Sequence, residues 1–189
     1  MSNVRSFGII LAATSLAGSA APAQVRQEQP VSALKGHNSN APVDVTADRI
    51  EVQDRADRAI FAGNVHAKQE EMTLTTPRLT VAYSGGAGGG NSNVQIHRLD
   101  AAGGVVVTSP SETARGDFGI YDLDRKLITL IGNVQLDREN NRVNGSRLVI
   151  DLDSGRAVVD GGPPGVNSSG GRVTGHFTVP QRQQNQPKQ

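Results

Sequence analysis

The sequence of 189 residues contains no cysteine and no tryptophan, and only 3% of its residues are aromatic. Without cysteine no disulfide can form, so the stability of the fold does not depend on an oxidising compartment. The scarcity of aromatic rings also argues against a flat stacking platform for sugars. The sequence therefore predicts one modest domain whose core is built mainly from aliphatic side chains.

An excess of charge of either sign is also absent, because 19 basic residues balance 18 acidic residues and the formal net charge is +1. A chain with this balance has no general attraction for a polyanion, and we expect no nucleic acid partner. Glycine is plentiful, with 22 residues, and Val, Ile and Thr alternate with polar residues along much of the chain. This composition favours strands and turns over helices.

Residues 1–23 have the composition of a secretory signal peptide. Arg5 precedes the apolar stretch FGIILAATSLAGSAAPA, and the small residues Ala21 and Ala23 stand just before Gln24. The apolar run of about 15 residues is shorter than the roughly 20 that span a bilayer, and an uncleaved anchor is the alternative interpretation. Cleavage near Ala23 predicts a mature protein in the periplasm of a bacterium.

Two polar, aperiodic segments flank the part of the chain that can fold, residues 24–42 and residues 180–189. Neither segment has enough apolar surface to compensate for the entropy of ordering. We therefore predict a flexible linker, a folded domain over residues 43–179, and a disordered tail.

An internal repeat runs through the predicted domain. Gly63 in IFAGNV and Gly132 in LIGNV are separated by 69 positions (132 − 63), and the same offset places Leu79 on Leu148. A finer unit of about 29 residues relates ADRIEV to TPRLTV (76 − 47) and GDFGIY to GSRLVI (145 − 116). A glycine-rich insertion at 84–90 interrupts the series and is predicted to be a loop. Repeats of this size indicate stacked supersecondary units.

The residue period within each unit is two, which is typical of strands. Phe61, Val65 and Ala67 fall on one face of the first run, whereas His66 and Lys68 fall on the other. Turn signals between the runs predict nine or ten antiparallel strands. Glycine within a strand permits a bulge, so the two Gly-Asn-Val steps predict a bend at the same level of each unit. The predicted fold is all-β, an elongated, twisted, open roll with its aliphatic faces inward.

Signatures of catalysis and metal binding are scarce. The four histidines, His37, His66, His97 and His176, show no ligand spacing and are interpreted as surface residues. The chain has neither a G-x-S-x-G turn nor a Walker A motif, although the sequence alone leaves a Ser-His-Asp arrangement open. Acidic clusters such as DLDSG are interpreted as hairpin turns rather than calcium loops. We therefore expect no enzyme activity, no cofactor and no metal.

The ordered series ADRIEV, IFAGNV, TPRLTV, GDFGIY, LIGNV and GSRLVIDL, behind a signal peptide, resembles the OstA-like (LptA) family of periplasmic lipopolysaccharide-transport proteins. The resemblance covers about residues 43–162, and GGPPG at 161–165 interrupts the final unit. It implies an open β-jellyroll that binds lipopolysaccharide through lipid A and associates head to tail through its edge strands. Such a bridge would connect an inner-membrane ABC-transporter complex, with its anchored periplasmic component, to an outer-membrane β-barrel translocon.

The aliphatic stripe on the inward faces has two expected roles. Most of it must be ordinary core, because a thin domain needs this burial to offset its chain entropy. A roll that stays open along one seam would expose the rest as an apolar channel. With the family resemblance, we expect this channel to shield lipid A acyl chains. The expected groove residues are Ile50, Val52, Phe61, Val65, Leu74, Leu79, Val81, Tyr121, Leu130, Val134, Leu148 and Ile150.

Four basic residues are candidates for contacts with lipid phosphates. They are Arg49, Arg78 and Arg147, which are equivalent within the repeat, and Lys68 near a strand end. The alternative interpretation of these side chains is a solvated outer face.

Three other interpretations of the whole chain are open at this point. One is a membrane-anchored, LptC-like component of the same pathway, which would retain its N-terminal apolar segment. Another is a structural β-solenoid without cargo, whose aliphatic stripe is sealed. The third is a secreted hydrolase, which would require a convergent polar site.

Overall fold

The structure is a computed structural model that describes Leu34 and residues 37–85, 94–162 and 171–179. The predicted signal peptide at 1–23, the predicted tail at 180–189 and most of the glycine-rich insertion lie outside these residues. Within the described part of the chain, no helix is both long enough and apolar enough to cross a membrane.

In the described part of the chain, ten strands form one antiparallel sheet, which confirms the predicted all-β fold. The order across the sheet is β1-β3-β4-β5-β6-β7-β8-β10, while β2 also pairs with β3 and β9 also pairs with β8. At one end of the sheet, β1 and β2 pair with different parts of the long strand β3. At the other end, β10 and β9 pair with different parts of the long strand β8. The strands are β1 (Asp44–Thr46), β2 (Arg49–Gln53), β3 (Arg58–Gln69), β4 (Met72–Ser84), β5 (Gln95–Thr108), β6 (Glu112–Asp122), β7 (Leu127–Arg138), β8 (Asn141–Asp151), β9 (Arg156–Asp160) and β10 (Thr174–His176).

The long strands all bend at one level, as the repeated glycines predicted. The pairing register slips between Ala62 and Val65 in β3 and between Ile131 and Val134 in β7, and a matching slip occurs in β5. Each slip adds a residue to one strand, and such a bulge bends and twists the strand that carries it. Because the bulges are aligned across neighbouring strands, the bends combine into one line across the sheet, which we call the bend line.

The same local arrangement of side chains accompanies each Gly-Asn bulge. Gly63 and Asn64 both have a left-handed backbone, with φ of +80° and +43°. The Asn64 side-chain amide donates a hydrogen bond of 2.8 Å to Oδ2 of Asp48. A Cβ on Gly63 would overlap the Asp48 carboxylate, so this close approach requires glycine. The second repeat builds the same arrangement from Gly132, Asn133 and Asp117.

The bend line divides the sheet into two half-sheets that face each other. Tyr121 in β6 donates a hydrogen bond of 3.0 Å to Oε1 of Gln69 in β3, although β3 and β6 are three steps apart in the sheet order. Such a bond requires the sheet to fold over. The upper half-sheet contains residues 49–53, 58–62, 78–84, 95–102, 118–122, 127–131, 147–151 and 156–160, and the lower contains 44–46, 65–69, 72–76, 105–108, 112–116, 134–138, 141–145 and 174–176.

An aliphatic core fills the space between the half-sheets. Leu79, Leu130 and Leu148 are fully buried in the upper half-sheet, and Val65 is fully buried opposite them in the lower half-sheet. Inward positions alternate with outward ones along each strand, so the period of two in the sequence marks the core directly. The twisted, open jellyroll expected from the sequence is the observed architecture.

We predict that Gly132→Ala lowers the free energy of unfolding by about 2–3 kcal/mol, because it combines left-handed backbone strain with a clash against Asp117. Gly104→Ala is the matched control, since Gly104 has a φ of +94° but no atom lies within 4 Å of the place that a Cβ would occupy. It should cost about 1 kcal/mol, from strain alone. Urea denaturation checks both values, and equal costs would contradict the role given to Asp117.

Candidate functional site

Strand pairing arranges nine of the twelve expected groove residues in two rows on the inner face of the upper half-sheet, while Val65, Leu74 and Val134 lie in the lower half-sheet. Directly opposed residues share a face, so each row can be read across the sheet from β2 to β9. The first row is Ile50, Phe61, Leu79, Ala101, Gly119, Leu130, Leu148 and Val159. The second row is Val52, Ala59, Val81, Leu99, Tyr121, Ile128, Ile150 and Ala157.

Most expected groove residues lie in the closed core. Those that are at most 8% exposed are Val65, Leu74, Leu79, Val81, Tyr121, Leu130, Val134, Leu148 and Ile150. An apolar cavity between the half-sheets, beside Gln69 and Tyr121, measures about 20 Å³. That volume is about one water-sized sphere, so an acyl chain needs additional room in this interior.

The inner face reaches solvent at the β2 edge. Ile50 and Val52 begin the two inner rows, yet each is 56% exposed. Phe61, the partner of Ile50 in the first row, is partly buried and packs against the core. The apolar inner surface is therefore continuous from the buried leucines to an open edge at β2.

Part of the segment expected to be flexible packs against the roll. We call Leu34 and residues 37–43 the N-terminal strap. Leu34 is 3% exposed and belongs to the core cluster, while Val43 packs against that cluster at the start of β1. The strap lies over the end of β3, far from the bend line, where the two half-sheets would otherwise part.

Gln69 is the main anchor of the strap. Its side-chain amide nitrogen donates to the carbonyl oxygens of Ser39, at 3.1 Å, and of Ala41, at 2.8 Å. Its Oε1 lies 2.9 Å from Nε2 of His37 and accepts the hydrogen bond from Tyr121. Burial raises the pKa of the Tyr121 hydroxyl, so this group remains a donor at neutral pH. All four hydrogen-bonding capacities of a Gln side chain are therefore engaged inside an apolar enclosure.

Two sequence predictions are corrected here. His37, which was interpreted as a surface residue, has a side chain that is only 5% exposed, because the strap folds it onto Gln69. Gln69 was assigned to a turn from Gln69 to Glu71, whereas the structure ends β3 at Gln69 and buries its side chain. The local sequence, one glutamine followed by two glutamates, does not distinguish a turn from a buried residue that binds the strap.

An open cleft of about 720 Å³ lies between the strap and the rim of the upper half-sheet. Its strap side is formed by residues 39–43, and its rim side by residues 94–96 and by Leu123, Asp124 and Lys126. Ser39, on the strap side, is 6% exposed. The cleft thus brings a buried hydroxyl close to the seam between the half-sheets.

The three equivalent arginines lie in one row across the outer face, beside the bend line, on strands β2, β4 and β8. Arg78 pairs with Ala62 and Ala102, and Arg147 pairs with Ile131 in the same outer row. Arg49 starts this row at the β2 edge and lies 3.7 Å from the Glu51 carboxylate. Lys68 is exposed one residue before Gln69, on the lower half-sheet.

A Ser-His-Asp series does occur, at the rim of the upper half-sheet. Ser84 Oγ lies 2.7 Å from His97 Nε2, and His97 Nδ1 lies 2.9 Å from Oδ2 of Asp124. The Ser84 side chain and the Asp124 carboxylate, which is 56% exposed, are open to solvent. Catalytic triads act in sites that exclude water around a preorganised oxyanion hole. We therefore interpret this series as a surface network that ties β4, β5 and the β6–β7 turn together.

No group of three or more His, Asp and Glu side chains in the described ranges is arranged to hold a metal ion. His37 and Tyr121 both form hydrogen bonds with Oε1 of the uncharged Gln69 side chain. The chemistry available at the site is apolar contact supplemented by a few such bonds.

The family model described as LptA/(LptD N-terminal domain) LPS transport protein matches residues 44–156, which extend from β1 to the start of β9. The chain belongs to this family. The match covers both half-sheets, the bend line and the inner rows.

The chain is also similar to a bacterial protein and to a solved structure. The chain is 33% identical over 138 residues to an uncharacterized protein of Rhizobium meliloti (strain 1021), covering 72% of this chain and 70% of that protein. It also resembles the crystal structure of LptH from Pseudomonas aeruginosa, which is described as the LptA homologous periplasmic component of the conserved lipopolysaccharide transport device. That likeness has a TM-score of 0.63 and 18% identity, and it covers 76% of this chain and 99% of LptH. At 18% identity, the similarity to LptH is evidence for the fold alone.

We predict unequal stability effects at the centre of the inner rows and at their β2 edge. Leu130→Ala should lower the free energy of unfolding by about 3–5 kcal/mol, because Leu130 is fully buried at the centre of a row. Val52→Ala should change it by less than about 0.5 kcal/mol, because Val52 is mostly exposed at the β2 edge. Thermal or urea denaturation measures both. A large loss with Val52→Ala would contradict the open edge.

Proposed function

We propose that the protein is a periplasmic carrier that shields lipid A acyl chains along its inner face. The carrier hands lipopolysaccharide from the inner-membrane export complex towards the outer-membrane translocon. The observation that carries this proposal is the continuity of the apolar inner rows with the exposed pair Ile50 and Val52 at the β2 edge. Membership of the lipopolysaccharide-transport family supplies the cargo class.

The need for such a carrier follows from the cost of exposing acyl chains to water. Each methylene contributes about 0.8 kcal/mol of transfer free energy, and a lipid with several chains carries dozens of them. An aliphatic surface shields the chains without fixing their register, so the cargo can slide along it. Sugars and phosphates can remain in solvent beside an open seam.

The β2 edge is the proposed point of contact for lipid. Ile50, Val52 and Phe61 offer apolar surface there without any loss of core packing. Arg49 adjoins Ile50 and is the proposed phosphate contact at this edge, where a guanidinium can bind phosphate oxygens in a bidentate manner. Arg78, Arg147 and Lys68 are proposed as further phosphate contacts for head groups that extend over the bend line and the lower half-sheet.

The two ends of the sheet are the proposed surfaces for head-to-tail self-association. Within the described residues, β2 pairs only with β3 and β9 pairs only with β8, so each presents one unpaired side. Strand addition would join a copy's β9 edge to the next copy's β2 edge through backbone hydrogen bonds. The inner rows end at both edges, so they would run on from copy to copy. The same edges are the proposed contacts with the anchored inner-membrane component and the outer-membrane barrel.

We expect a photo-crosslinking amino acid at position 50 or 52 to form adducts with lipopolysaccharide in growing cells. Asp153 is the control, because 69% of its side chain is exposed but it lies in the turn between β8 and β9, away from the inner rows and from the proposed phosphate contacts. Position 153 should give no adduct. Immunoblotting for lipopolysaccharide on the purified protein reads out the result. Adducts that are absent at 50 and 52, or equal at 153, would refute the proposed inner-face carrier.

We expect Val158→Pro to reduce self-association, because proline in β9 removes a backbone donor and distorts the edge strand. Val158→Thr keeps both the donor and β-branching, and it should associate as the unchanged chain does. Sedimentation velocity over a range of concentrations compares the three proteins. If the proline variant stays folded and assembles normally, the β9 edge is not the contact.

A further inference from the structure

We propose that the N-terminal strap occupies the binding site of an acyl chain and its carbonyl group, so that lipid binding inside the roll displaces the strap. This inference rests on the proposed function and assigns a ligand class to its interior, namely acyl esters and amides. Gln69 is the residue that would recognise their carbonyl group. The strap would then act as a built-in competitor that keeps the empty carrier closed.

The strap presents the two chemical features of such a ligand. Leu34 places a branched aliphatic side chain in the core cluster, where it is 3% exposed. Two strap carbonyls, of Ser39 and Ala41, accept hydrogen bonds from the Gln69 amide. An acyl ester or amide offers the same pair of features, an aliphatic chain next to a carbonyl oxygen. The strap therefore mimics that class of ligand with ordinary peptide groups.

Competition follows from the lack of room. The apolar cavity beside Gln69 and Tyr121 measures about 20 Å³, and the surrounding leucines and valines are fully packed. A chain of about a dozen methylenes cannot enter this space while the strap is docked, because the strap residue Val43 lines it. Removal of Leu34 and the segment after it opens the seam where the cleft of about 720 Å³ already lies. Lipid and strap are thus mutually exclusive at this end of the roll.

The contacts that hold the strap are suited to exchange. They are hydrogen bonds to the uncharged Gln69 side chain, together with a long bond of 3.4 Å from the Asn38 backbone amide to Glu70 and a separation of 3.9 Å between His37 and the same carboxylate. None of these contacts is a strand pairing like those that hold the successive strands from β3 through β8 together.

Gln69 makes this binding site selective for ligands that carry a carbonyl group. When the strap leaves, the buried amide nitrogen loses both acceptors, and an unsatisfied buried donor is unfavourable. A ligand with a carbonyl restores one acceptor, whereas an ether of the same length does not. We expect about tenfold tighter binding of an ester than of the matched ether.

The test uses 1-lauroyl-glycerol, an ester, and 1-O-dodecyl-glycerol, its ether analogue, below their aggregation concentrations. Isothermal titration calorimetry compares the full chain with Leu34→Ser and His37→Ala, which weaken strap docking. Each variant should bind both probes about three- to tenfold more tightly. Asn40→Ala is the matched control, because Asn40 is an exposed strap residue whose side chain makes no contact with Gln69, and it should bind as the unchanged chain does. Equal affinity in all four proteins would overturn the competition.

A second variant tests the carbonyl recognition. Gln69→Met in the Leu34→Ser background keeps a side chain of similar length but removes the amide, so ester and ether should bind equally. Retention of the ester preference would overturn the role of Gln69. Thermal denaturation establishes that the double variant is folded.

Hydrogen exchange provides a readout that needs no substitution. The amides of Ser39 and Ala41 donate to His37 and Asn38 within the strap, and they should be protected in the free protein. Addition of 1-lauroyl-glycerol should increase their exchange while leaving the central strands unchanged. Unchanged or slower exchange in the strap would overturn displacement. Lipopolysaccharide adducts at positions 50 and 52 combined with an unresponsive strap would refute this inference alone, whereas a loss of those adducts would refute the proposed carrier itself.

Discussion

The aligned bulges are the constraint on which the rest of the structure depends. A long antiparallel sheet with one apolar face must cover that face, and this chain covers it by folding the sheet across a single line. Gly63 and Gly132 permit the fold because a left-handed backbone and a nearby carboxylate leave no room for a side chain. Every other feature, including the two inner rows, the facing half-sheets and the open β2 edge, follows from where that line lies.

The sequence predicted the architecture because its signals are local and repeated. Alternation of apolar and polar residues specifies which face is buried, and the repeated glycines specify where the strands bend. The rows that contain Leu79, Leu130 and Leu148 lie in the core as the offset of 69 residues implied. A short motif is weak evidence by itself. Its recurrence at a fixed spacing strengthens the assignment, because a wrong assignment in one unit would disagree with the assignments of the other units.

The details of the candidate site could not be predicted in the same way, because they depend on contacts between non-equivalent parts of the chain. Gln69 and Tyr121 are 52 positions apart and meet only after the sheet has folded over. His37 is buried by a segment whose composition alone indicates flexibility. Ser84, His97 and Asp124 meet at a rim that no motif identifies. Alternation also cannot distinguish an inner position in the closed core from one at an open edge, such as Val52.

The proposed function imposes two opposing requirements on the chain. Its core must be packed well enough to fold without disulfides and with few aromatic side chains, yet under that proposal its inner face must also accept acyl chains. The two requirements would then be met in different places. The centre of the inner rows is closed and supplies stability, while the β2 edge and the strap-covered end are the surfaces proposed for lipid. The proposed displacement of the strap would resolve the conflict at the covered end, because the strap would keep the apolar surface out of water when cargo is absent and leave it accessible when cargo arrives.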